Sequence, residues 1–185
     1  VTPRTVVLVE GDSDRLALHA VAARHGRDLA AEGIDVVPMG GITNTRTFAS
    51  HYGPRGLGVR LAGLYDAPEE AFVRGGLAAA GFPTALEPGG LQRLGFFTCT
   101  ANLEDELIRA LGTKAVEDVI EAAGEARSLQ LLAGMPAQRG WTREALLHRF
   151  MGSQSGRKAR YATLLVEALE PGQVPAPLAA LLAWV

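Results

Sequence analysis

The sequence predicts an α/β fold: a mainly parallel sheet of four strands flanked by helices, with a helical extension toward the C-terminal end. Three observations carry this. Short runs rich in β-branched residues alternate with helical patterns of about 10–15 residues, the arrangement that yields βαβ units. The first run, TVVLV at Thr5–Val9, is apolar without alternation, as a strand covered on both faces is. From residue 103 onward only helical periodicity remains. A chain of 185 residues supports one domain with a sizeable core. The expected division is an α/β core over residues 1–112 and a helical extension of the same domain over 113–185.

Thr5–Val9 forms the first strand. Asp12 or Ser13 then caps a helix whose Leu16, Leu18, Val21 and Leu29 cover the sheet, with Gly26 a point of interruption. IDVVP at Ile34–Pro38 is a second strand that ends in Met39, Gly40 and Gly41, and a short helix follows over 43–52. The third strand, VRLAGLY over 59–65, stops at Asp66. Pro68 has no N–H to lose and a φ already near the helical value, so it suits the first turn of a helix running to about residue 81. LGFFTCT over 94–100 is the fourth strand. Helices are then expected over 103–112, 115–123, 141–151 and 161–169, with a last short one after a proline-rich stretch. The apolar run 178–185 is expected to close the core.

Hydrophobic residues make up 48% of the chain and charged ones 21%, a balance that folds rather than stays disordered. Eighteen Lys plus Arg against 20 Asp plus Glu leave a net charge of −2. That excludes a protein that holds nucleic acid through a broad positive field; any such contact must be local or metal-assisted. The single cysteine, Cys99, excludes an internal disulfide and a Cys-rich zinc site, and its FFTCT setting puts it in a buried strand. The opening VTPRTVVLVEG lacks the parts of a secretory signal. The apolar stretch 175–185 is shorter than the roughly 20 residues that span a bilayer. A cytoplasmic protein without membrane contact is expected.

Right-handed crossovers bring the carboxyl ends of parallel strands to one edge of the sheet. Glu10 follows the first strand, Asp66 ends the third, and Glu104, in NLEDE, follows the fourth. Asp14 lies one turn into the first helix, so it can share a crevice with Glu10, and Gly11 lets the backbone turn sharply between them. Carboxylates so gathered repel one another and are costly to keep ionised without cations. Hard oxygen ligands of this kind suit magnesium or manganese. Two such ions about 3.5–4 Å apart can activate a water and stabilise the leaving oxygen of a phosphodiester. Taken singly, Asp12, Asp14, Glu69, Glu70 and the acids of 104–106 also fit helix starts, where negative charge is favoured. Glu10, which follows a buried strand and precedes the cap, fits that role least.

LVEGDSD, the Gly40-Gly41 pair and the strand-end Asp66 together resemble the Toprim fold, a Rossmann-like arrangement shared by topoisomerases, primases and some nucleases. More closely, LVEGDSD, DAPEE, NLEDELIRALG and SGRKARYA resemble the Toprim nuclease domain of the overcoming-lysogenization-defect (OLD) family of ATP-dependent endonucleases. The likeness runs from Val6 to the C-terminal helices. It implies a DNA nuclease that uses two magnesium or manganese ions, with Glu10, Asp14, Asp66, Glu70 and Glu104 as metal ligands and Glu10, Asp66 and Lys158 as catalytic residues. Where the broader fold has Asp-x-Asp, this chain reads DAPEE, so the second acid must come from the first helical turn: Glu70 first, Glu69 next. No GxxxxGK[ST] occurs, and GSQSGRKA differs in spacing and in its final residue. A freestanding Toprim domain without its own ATPase is therefore expected, acting alone or with a separate ABC-type ATPase subunit, and compatible with a homodimer.

Arg157, Lys158 and Arg160 are expected just ahead of the helix at 161–169, with Lys158 at the scissile phosphate. Arg157 and Arg160, with Arg109, Arg139, Arg143 and Arg149, would form a basic rim for the DNA backbone. Too few aromatics accompany them for a stacking platform. His19, His25, His51 and His148 lack metal-ligand spacing, Ser13 is outside any GxSxG turn, and Tyr52, Tyr65 and Tyr161 lack the context of a topoisomerase nucleophile. Gly40 and Gly41 permit a tight turn or close approach to a phosphate. Two rivals keep the fold: a nucleotidyl transferase or RNA-processing nuclease, and a non-catalytic module that binds an ATPase or DNA.

Overall fold

The structure, a computed structural model, describes residues 2–185. Four strands, β1 (Thr5–Val9), β2 (Ile34–Pro38), β3 (Arg60–Asp66) and β4 (Phe96–Cys99), form one sheet in the order β2-β1-β3-β4. Every neighbouring pair is parallel, with Thr5 opposite both Ile34 and Arg60, and Gly63 opposite Phe96. The unalternating apolar run of β1 has a direct cause. Val7 and Val9 enter the core on one face of the sheet while Val6 and Leu8 enter the core on the other, and all are buried.

Around the sheet run α1 (Asp12–Arg24), α2 (Thr45–Tyr52), α3 (Glu70–Ala79), α4 (Gly90–Arg93), α5 (Leu103–Leu111), α6 (Thr113–Ala122), α7 (Ala126–Ala133), α8 (Arg143–Met151), α9 (Arg157–Ala168) and α10 (Ala176–Trp184). The short helices α2, α3 and α4 cover one face through Ala49, Val73, Leu77 and Leu91. The other face is thicker. Leu18 and Val21 of α1 pack there with Leu107, Ile120, Leu147, Phe150, Leu165 and Leu178, so the helices after residue 112 share one core with β1. Cys99 is fully buried, and Leu178, Leu181 and Leu182 close the core as expected.

Several boundaries differ from the sequence expectation. Gly26, at φ 71°, ends α1 before Leu29, which is buried from the following turn instead. Single turns of 3₁₀ helix, Ile42–Asn44 and Ala67–Glu69, precede α2 and α3. α7 was not expected: it lies between Gly124 and Gly134 and buries only Leu129 and Leu132, too short a stripe to stand out as helical periodicity. The turn Pro83–Leu86 and α4 were also unforeseen. α9 begins at Arg157, so Arg157, Lys158 and Arg160 lie within the helix rather than ahead of it. Three cations at the positive end of a helix oppose its dipole, so the local sequence disfavours this start.

Gly63 sits where β3 meets β4 with no room to spare. A Cβ there would lie 2.4 Å from Phe96 Cε1 and 2.9 Å from the carbonyl oxygen of Leu8. Gly63→Ala should therefore destabilise the protein by about 1–3 kcal/mol, lowering the melting temperature by roughly 2–4 °C per kcal/mol. Gly75→Ala, in α3 with nothing within 4 Å of its Cβ position, should leave that temperature unchanged or raise it. Thermal unfolding of the two variants checks both.

Candidate functional site

β1 is followed in the sheet by β2 on one side and β3 on the other, so the topological switch point lies at the carboxyl ends of β1 and β3. A crevice of about 340 Å³ opens there. Glu10, Asp14, Asp66, Glu104 and Lys158 line it, and Gly11, Ser13, Gly40, Gly41 and the start of α5 complete its walls. The edge predicted from the strand ends is thus one continuous site.

Each side chain is placed by a local device. Glu10 is the first residue past β1, and its carbonyl accepts hydrogen bonds from the N–H groups of Gly40 (3.0 Å) and Gly41 (3.2 Å). That ties the turn after β2 to β1, and it needs glycine, since φ is 71° at Gly40 and 131° at Gly41. Asp14 reaches back so that its Oδ2 accepts from the Gly11 N–H at 3.0 Å, which holds the start of α1 against the crevice. Asn102 caps α5, its Oδ1 accepting from the Asp105 N–H at 3.0 Å, while its side-chain amide meets His148 Nε2 at 2.7 Å. This orients the first turn of α5 so that Glu104, only 6% exposed, faces inward. Lys158 Nζ comes within 3.6 Å of Glu104 Oε2.

The second acid of DAPEE is where geometry departs from expectation. Carboxylate oxygens of Glu10, Asp66 and Glu69 lie within 4.8 Å of one another, whereas Glu70 pairs with Arg74 at 2.7 Å along α3. Glu69, not the favoured Glu70, therefore joins the cluster. The backbone makes one 3₁₀ turn over Ala67–Glu69 before α3 begins. In such a turn residues three apart eclipse, which stacks Glu69 over Asp66, while Glu70 starts the α-helical repeat and meets Arg74 four residues on.

The electrostatics follow from crowding. Burial pushes Asp66 up to about 7, helped by the neighbouring Asp14, Glu10, Glu69 and Glu104. Burial also raises Asp14 to about 6; the Gly11 N–H opposes this, Glu104 and Glu10 add to it, and Lys158 lowers it. Glu69 is raised by burial and by Glu10, and its Oε2 is enclosed with no hydrogen-bond partner. One lysine faces this many acids. An all-oxygen set carrying uncompensated negative charge, with an enclosed oxygen lacking a donor, fits a divalent cation and could hold one.

The expected basic rim is largely committed elsewhere. Arg157 is 6% exposed and pairs with Glu125, as does Arg160. Arg143 pairs with Glu117, and Arg109 with Asp105 and Glu106. Among the described residues only Arg139 and Arg149 of the six make no ion pair, and both are exposed. Sequence reasoning also passed over Asn102, whose one signal was its place before an acidic helix start.

Residues 3–67 match the family model of the overcoming lysogenization defect protein-like TOPRIM domain. The chain is similar along its length to the C-terminal region of the Xanthomonas campestris pv. campestris OLD protein, at 25% identity and a TM-score of 0.72, over 98% of this chain and 93% of that one. The C-terminal region of the Burkholderia pseudomallei OLD protein shares the fold at 22% identity and a TM-score of 0.69, over 100% of this chain and 97% of that one. No curated protein matches the chain. Residues 3–67 thus carry the match to that family model, and the chain as a whole shares the fold of the OLD C-terminal regions, an all-parallel four-stranded sheet flanked by helices.

Manganese titrated calorimetrically should bind the parent and Glu70→Gln alike, whereas Glu69→Gln should weaken binding by about tenfold or more. A second outcome concerns pH. Carboxyls whose pKa is raised on folding hold a proton that the unfolded chain releases, so with a chelator present they lower stability as pH rises from about 4 toward 7. Asp66→Asn removes the largest such contribution. Its melting temperature should match the parent's near pH 4 and exceed it near pH 7.5 by roughly 2–4 °C for each kcal/mol relieved, and magnesium should shrink that gap.

Proposed function

We propose that the chain is a phosphodiesterase that cuts DNA with the help of magnesium or manganese. One observation carries this: carboxylates from separate parts of the chain, Glu10, Asp14, Asp66 and Glu104, meet Lys158 in a single crevice at the switch point of the sheet, and Glu69 stands against Glu10 and Asp66 beside it. The likeness to OLD C-terminal regions supports it. Bound divalent cations would supply the charge that makes a water nucleophilic and stabilises the departing oxygen. The chain's own part is to hold and orient. The five acids form the cation seat, and Asp14 and Glu104 sit on helix starts whose backbone is already pinned by Gly11 and Asn102. Lys158, half exposed and facing Glu104, is set to meet a phosphate oxygen and to offset charge that develops there. Gly40 and Gly41 have no atom within 4 Å of a would-be Cβ, so they leave the crevice wall open to a sugar-phosphate backbone.

With a net charge of −2 and most of its rim arginines already paired, the chain should grip duplex DNA weakly by itself. A partner, such as an ABC-type ATPase subunit, would add to that grip. The test is cleavage of supercoiled and linear DNA in magnesium, manganese or chelator. Cleavage should require metal, and Glu10→Ala should lower it by about 100-fold or more, several kcal/mol of transition-state stabilisation, with an unchanged circular dichroism spectrum. Intact DNA in the presence of bound metal and folded protein would identify a binding module instead. Products from RNA or nucleotide substrates alone would identify the other Toprim chemistries.

A further inference from the structure

α9 starts in a way that its own sequence disfavours. Its N-cap, Gly156, at φ 78°, offers no side chain to the exposed N–H groups, no acid lies in the first turn, and Arg157, Lys158 and Arg160 all do. The preceding residues 152–156 are exposed. Such a turn should fray, because uncapped donors and three cations meet the positive end of the helix dipole. Yet this turn carries Lys158.

What holds it is a partly buried arrangement around Glu125, at the corner between α6 and α7. The Glu125 carboxylate pairs with Arg157 at 2.8 Å and with Arg160 at 2.5 Å. Arg157 is the one buried residue of the turn; its guanidinium lies 4.0 Å from the centre of the Phe150 ring and donates to the Phe150 carbonyl and the Ser153 hydroxyl. The next buried residue of α9 is Tyr161, a full turn further on. A buried ion pair adds little stability, since removing its charges from water costs about as much as their attraction returns. Its effect is to specify one conformation. With both flanking arginines drawn to Glu125, Lys158 is left as the cation of this turn that faces the crevice.

We infer that Glu125 and Arg157 are positioning residues for Lys158: their ion pair, buried at the Arg157 end, clamps the first turn of α9 so that the ammonium stands over Glu104. The task of Lys158 rests on the phosphodiesterase reading; the clamp itself does not. The chain has two lysines, and Lys114 is occupied by Asp118 at 2.6 Å on α6, so ¹³C-methylated Lys158 can be observed by NMR. In the parent, Glu104→Gln should move the Lys158 methyl resonance. In Glu125→Gln that response should disappear. Cleavage by Glu125→Gln should lose kcat by about 10–100-fold, the scale of an ångström-sized misplacement, with KM within about threefold. Ile120→Val, a core change in α6, should keep both the resonance response and kcat at a similar loss of melting temperature. Should Glu125→Gln not fold, Glu125→Gln with Arg157→Met removes both charges together and takes its place. A Lys158 resonance that still responds to Glu104→Gln in these backgrounds, or a kcat no lower than that of Ile120→Val, would overturn the clamp. Absence of cleavage by the parent would count against the phosphodiesterase reading while the resonance still decides the clamp.

Discussion

Mutual repulsion among carboxylates is the constraint on which the rest of this structure depends. Glu10, Asp66 and Glu69 crowd within 4.8 Å of one another, and Asp14 and Glu104 stand in the same crevice. No flexible scaffold would keep them there, because each charge would gain by moving into water. The sheet prevents that. β1 is buried on both faces and hydrogen-bonded on both edges, so Glu10 cannot leave without disturbing its neighbours. Asp66 is the last residue of β3 and is held by pairing with Cys99. Burial, with the repulsion of neighbouring acids added to it, raises the pKa values of Asp14 and Asp66.

The same constraint explains the unequal thickness of the two faces. The thin face needs only α2 to α4 to cover Val6 and Leu8. The thick face must also bring a cation to the crevice from far along the chain, and α9, packed beside α1, does so. Placing Lys158 at a helix start is electrostatically unfavourable, and Glu125 draws the two flanking arginines, Arg157 and Arg160, to itself. The arginines nearest the site are therefore paired with acids of the chain, Arg157 from a buried position and Arg160 and Arg109 at the surface, which changes the meaning of a cluster that reads as basic in the sequence.

Particular residues mark the limit of what could be read in advance. Glu10 was legible because an acid directly after an unalternating apolar run has no ordinary structural task. Asp66 was legible for a similar reason, as an acid ending a strand. Glu69 and Glu70 were not separable: adjacent acids differ only in whether the backbone turns by three residues or by nearly four, and a single 3₁₀ turn ahead of α3 decided it. α7 was hidden by its brevity, and α9 begins four residues earlier than expected, in a turn whose local charge preference is unfavourable.

The sequence by itself determined the alternation of strands and helices, the gathering of strand-end acids on one edge and the glycines that let the chain turn there. These depend on short-range rules: residue period, capping, and the φ freedom of glycine. Tertiary structure alone decided which acids share one cavity, which arginines are buried, and which cation remains free to face the crevice. Charge interactions fall with distance and are set by burial, and neither quantity exists until residues as far apart as Glu10, Glu125 and Lys158 are folded together.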